Sequence, residues 1–96
     1  MGSWRKYLRA MVRDTNPSGY TYDECAVVLS HLGFECAPHG GGSHRRWRRR
    51  NDEGNLIVVG LVDHGAGTLR AVYVRDMIAT LQSNGFLPTD PDDALD

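Results

Sequence analysis

Residues 40–50 read Gly40-Gly41-Gly42-Ser43-His44-Arg45-Arg46-Trp47-Arg48-Arg49-Arg50. No other stretch of the 96-residue chain sets so many reactive or charged groups side by side. The three glycines allow backbone geometries that other residues resist. Ser43 and His44 follow, a hydroxyl and an imidazole. Histidine is the side chain whose ordinary pKa best suits proton transfer near neutral pH. Five arginines then surround one tryptophan, and arginine is permanently charged and forks onto phosphate oxygens. These types in this order point to a site for a phosphate-backbone polymer, with one proton-transfer group at its mouth.

The overall charge balance hides this. The formal net charge is −1, but Asp90, Asp92, Asp93 and Asp96 all lie in the last seven residues. Without those four, 8 acids face 11 Lys and Arg, a formal +3 over residues 1–89. The acidic end is expected to be a solvated tail. A sharper alternative is a tail that folds over the arginines and competes with an anionic ligand. Length and an apolar content of 41 % suit one globular domain. No apolar run is long enough to span a membrane, and no apolar segment follows Arg5, Lys6 and Arg9 as in a signal peptide, so a cytoplasmic protein is expected. Cys25 and Cys36 make no disulfide framework. With His31 and His39 they match no common zinc spacing, so neither metal nor cofactor is expected.

A strand must carry the arginine run. Alternation over Ser43–Arg50 puts His44, Arg46, Arg48 and Arg50 on one face, and Ser43, Arg45, Trp47 and Arg49 on the other. Trp47 is the expected buried anchor, and the His44 face must meet solvent or a ligand. Phe34 to Pro38 reads as a short strand before it. After the Asn51-Asp52-Glu53-Gly54 turn, Leu56–Val62 is an unbroken apolar strand, which suggests a central or well-covered position.

Helices flank these strands. Trp4, Tyr7, Leu8, Met11 and Val12 make the apolar stripe of a helix over 4–13, with basic residues on its other faces. Thr21-Tyr22-Asp23-Glu24 is a capping box opening a helix over 22–32, with Gly33 as its stop. Val74, Met77, Ile78 and Leu81 mark a last helix ending at Gly85, capped by Thr68 or beginning near Tyr73. The fold class is α+β, a three-stranded antiparallel sheet with helices packed on one face, in the order α-α-β-β-β-α. Residues 1–19 form an N-terminal helix and linker, 20–87 the main domain and 88–96 the tail.

This pattern resembles the HicA-type toxins. The residues that carry the likeness are Leu32-Gly33-Phe34, Gly42-Ser43-His44, Asp52-Glu53-Gly54, the Leu56–Val62 strand and a helix over 73–84, about residues 20–87 in all. The resemblance implies a fold like a double-stranded-RNA-binding domain and a ribosome-independent mRNA interferase silenced by a HicB-type antitoxin. The functional histidine it implies is His44.

RNA cleavage without metal needs a base for the 2′-hydroxyl, charge neutralisation at phosphorus and a proton for the leaving 5′-oxygen. His44 is the candidate base or acid, and Ser43 orients it or bonds a phosphate oxygen. Arg46 and Arg48 share its face as phosphate ligands, while Arg45 and Arg49 reach the RNA backbone from the strand edge. His64 is a candidate second proton-transfer group or a plain loop histidine. Two other readings stand beside the endoribonuclease: a non-catalytic RNA-binding domain, and a protein-interaction domain whose basic strand meets an acidic partner.

Overall fold

A computed structural model of the chain describes residues 3–14, 16–38, 41–63, 65 and 67–87. The expected roles of His39, His64 and the acidic segment 88–96 lie outside the described residues. Three helices and a three-stranded antiparallel sheet follow in the order α-α-β-β-β-α, the expected α+β class.

The first helix, α1 (Ser3–Arg13), forms where its apolar stripe dictates. Leu8 and Met11 are fully buried, and α1 packs against the second and third helices. The N-terminal helix is therefore part of the one core. The second helix, α2 (Tyr22–His31), opens on the complete capping box. The Thr21 Oγ1 accepts from the Glu24 N–H at 3.1 Å, and the Glu24 carboxylate accepts from the Thr21 N–H at 2.8 Å. At its far end Gly33 takes φ +87°, which lets the Phe34 N–H turn back to the Leu29 carbonyl at 2.9 Å.

That turn shortens the first strand. β1 covers only Glu35–Cys36 rather than residues 34–38, because the Phe34 N–H is committed to the helix end and Pro38 has no N–H to offer. β2 (His44–Arg50) pairs with both neighbours, and β3 (Leu56–Val62) pairs only with β2. The expectation of a central or well-covered position for Leu56–Val62 is thus corrected. The arginine strand is the middle one, as two short turns in succession require, and the apolar strand is an edge. Its register runs from His44 opposite Val62 to Arg50 opposite Leu56.

The third helix, α3 (Ala71–Ser83), buries Val74, Met77, Ile78 and Leu81 as the spacing predicted. Thr68 is not its cap, and it starts two residues before Tyr73. Arg70 is its N-cap, without a side-chain hydrogen bond. Thr68 bridges Thr21 instead, and the Leu69 N–H bonds the Tyr20 carbonyl at 2.8 Å, so the chain is pinned to the head of α2 before the helix begins. α3 packs on β3, and Phe86 meets Phe34 edge to face with ring centres 5.3 Å apart. One face of the sheet, bearing Trp47, Val59 and Leu61, joins the core, and the other stays open except at Val62, which is buried opposite His44.

Candidate nucleic-acid interface

The alternation expected for the arginine strand is the one observed. His44, Arg46, Arg48 and Arg50 are exposed on the open face. Arg45 and Arg49 are half-buried and Trp47 is buried on the helix side. The cause is the pleat: once Trp47 enters the core, its neighbours at odd numbers follow and those at even numbers face out. The Trp47 Nε1–H donates to the Tyr22 hydroxyl at 3.2 Å, which fixes the ring against α2. Burial raises the Tyr22 pKa, an effect that the bond from Trp47 partly offsets, so the phenol remains neutral and able to accept.

The helix-side arginines are engaged within the fold. The Arg45 Nη1 donates to the Gly42 carbonyl at 2.8 Å and to the His44 carbonyl at 3.1 Å, and its Nη2 lies 3.9 Å from the Asp63 carboxylate. It ties the glycine turn to the end of β3. The Ser43 carbonyl joins this tie by accepting from the Asp63 N–H at 2.6 Å. The Arg49 Nη1 donates to the Leu32 carbonyl at the C-terminus of α2, and its guanidinium lies 4.7 Å from the centre of the Phe86 ring. Arg45 and Arg49, expected to reach RNA from the strand edge, are therefore built into the core side.

The open-face residues are engaged far less. Among the described residues no hydrogen bond engages the side chains of His44, Arg46 or Arg48, while the Arg50 Nη1 donates to the Gly54 carbonyl at 2.9 Å. Same-face residues two apart lie about 6.6 Å apart along a strand, so His44 and three guanidinium groups form a row of roughly 20 Å. His44 heads the row at the mouth of the glycine turn, where Gly41 and Gly42 take φ +120° and +75°. Ser43 lies beside it, half-buried, on the helix-side register.

Two members of this face were not among the expected site residues. Arg50 belongs to it by parity alone. Glu35 of β1 is exposed and stands directly opposite Arg48 without forming an ion pair. Its signal is the alternation of Phe34 and Cys36 around it, which sets Glu35 away from the core. Across the sheet one row thus reads Glu35, Arg48, Val58 and another Arg46, Gly60. The arrangement can hold an anionic chain along β2, with one imidazole at its end to move a proton. No cluster of three or more metal-ligating side chains occurs among the described residues.

Comparison of the chain with family models, with curated proteins and with solved structures gives no match.

Proposed function

We propose that the open face of the sheet binds RNA and that His44 serves in its metal-independent cleavage, as the toxin of a toxin–antitoxin pair. The observation that carries this reading is the joint exposure of His44, Arg46, Arg48 and Arg50 on one face while the helices occupy the other. The guanidinium groups hold successive phosphates of a single-stranded or lightly structured mRNA. His44 removes the 2′-hydroxyl proton, and the 2′-oxygen forms a bond to phosphorus. The bond to the 5′-oxygen breaks, and that oxygen takes a proton from water. A cytoplasmic setting is the expectation from the sequence, and a HicB-type antitoxin covering this face follows from the resemblance alone.

The test compares wild type with His44→Ala. The variant is expected to lose RNA cleavage and toxicity on induction, with its fold and its RNA affinity retained. Undiminished cleavage at the same mapped RNA ends rejects the enzyme.

A second reading, a non-catalytic RNA-binding domain, is favoured by one observation. No described side chain holds the His44 ring in a fixed orientation, whereas a general base is normally positioned by a partner. RNA binding without cleavage by the wild type decides for this reading.

A further inference from the structure

β3 is an edge strand with none of the usual protection. Natural edges carry lysine, proline, a bulge or a cover. The sequence Leu56-Ile57-Val58-Val59-Gly60-Leu61-Val62 has no charge and no proline, and its seven residues pair with β2 without a bulge. Leu56 is 50 % exposed and Val58 46 % exposed, both on the open face. Gly60 is also exposed, and a Cβ built there would meet nothing within 4 Å.

The ladder fixes which backbone groups are unpaired. The Asp63 N–H bonds the Ser43 carbonyl and the Asn51 N–H bonds the Asn55 carbonyl, so the odd-numbered residues of β3 point their backbone groups toward β2. Leu56, Val58 and Gly60 then point theirs outward, and among the described residues no backbone bond outside the sheet reaches them. Val62 also points outward but is buried, which closes the edge at that end.

We propose that β3 is the seam of a homodimer. Two copies pair antiparallel about a two-fold axis at Val58, giving one six-stranded sheet. In that register Val58 lies opposite its own symmetry mate, and Leu56 lies opposite Gly60 of the second copy. Each such pair exchanges two hydrogen bonds. A second copy is the fitting occupant because the edge is self-complementary. It opposes no like charges, the outward backbone groups of Leu56, Val58 and Gly60 all find a match, and the large Leu56 side chain enters the space left over Gly60. An isologous interface needs this reciprocity. It also accounts for a glycine inside an otherwise unbroken apolar strand.

The two-fold axis stands perpendicular to the sheet, so both open faces lie on the same side. The two β2 strands are then three strand spacings apart, about 14 Å. Two arginine rows would flank an apolar strip of Leu56 and Val58. The use of this double row for RNA rests on the proposed function; the dimer does not.

Sedimentation equilibrium of the full chain without RNA, over about a hundredfold range of concentration, tests it. The mass is expected to double from 10.7 kDa as concentration rises. Val58→Pro removes an outward N–H and leaves the ladder to β2 intact. Val58→Lys sets two ammonium groups across the axis. Both variants are expected to stay monomeric with unchanged far-ultraviolet circular dichroism. In the wild-type dimer the Val58 and Gly60 amides exchange slowly, and in the monomeric Val58→Lys variant the Gly60 amide exchanges fast.

A wild type that is monomeric throughout overturns the proposal. So does a dimer that survives both substitutions, or one in which the Gly60 amide still exchanges fast. Protection of those amides only after a different protein is added also overturns it, in favour of a partner's strand.

Discussion

At the residue scale the five arginines form two populations. Arg46, Arg48 and Arg50 face out from the sheet, whereas Arg45 and Arg49 brace the helix side. A guanidinium that donates to the last carbonyl of a helix and covers an aromatic ring holds the fold together. One that lacks a described partner on an open face is free to meet phosphate. The substitutions Arg48→Ala and Arg49→Ala should therefore give opposite results. Arg49→Ala is expected to lower stability by about 2 kcal/mol, from the lost charge-assisted bond and ring contact, with RNA affinity little changed. Arg48→Ala is expected to leave the melting temperature nearly unchanged. It should reduce the slope of log affinity against log salt by about 0.7, the single-strand value for one phosphate contact. Thermal melts and RNA titrations at several salt concentrations check both.

At the element scale α2 is the organising piece. Its capping box faces the strand–helix connection of residues 68–70, its buried face carries Cys25, Val28 and Leu29, and its C-terminus receives Arg49. The Thr21 hydroxyl satisfies an amide that has no partner within the helix. Thr21→Ala should cost about 1 kcal/mol and lower the melting temperature by about 4–8 °C, with the chain still folded. Thr21→Ser, which restores the acceptor, should recover most of the loss in the same thermal melts. A variant as stable as wild type would show that tertiary contacts alone set the start of α2. Most of the helix ends were legible in the sequence because they depend on neighbours three or four residues away. The start of α3 was not, since Thr68 is drawn away by Thr21, a residue far along the chain.

At the scale of the whole molecule, one buried acid reports on folding. Cys25 is fully buried, and burial chiefly, with the nearby Glu24 charge, pushes its pKa up to about 12. In the unfolded chain the thiol ionises near its ordinary value of about 9. Between those values the unfolded state has lost a proton that the folded state keeps. Stability is therefore full below pH 9 and falls by about 1.4 kcal/mol per pH unit above it. Urea melts from pH 8 to 10.5 should show this fall for wild type and a shallower one for Cys25→Ala. Tyr20 and Tyr22, also raised chiefly by burial, add a fall in both proteins, so only the difference between the two slopes reports on Cys25. Equal slopes would place the Cys25 thiol in contact with solvent.

The sequence by itself determined the element order, the stripe each helix buries and the two faces of the arginine strand. Those follow from periods of 3.6 and 2, which need only the local backbone. It also singled out His44 at the glycine turn, since composition there is so uneven. What only the tertiary structure decided is which strand lies at the edge, which arginines are held inside, and that Glu35 stands opposite Arg48. Strand neighbours and guanidinium partners are set between residues far apart in the chain, and no local period encodes them. An apolar run reads the same whether a second strand covers it or it waits for one. That is why β3 looked like the centre of the sheet and proved to be its open side.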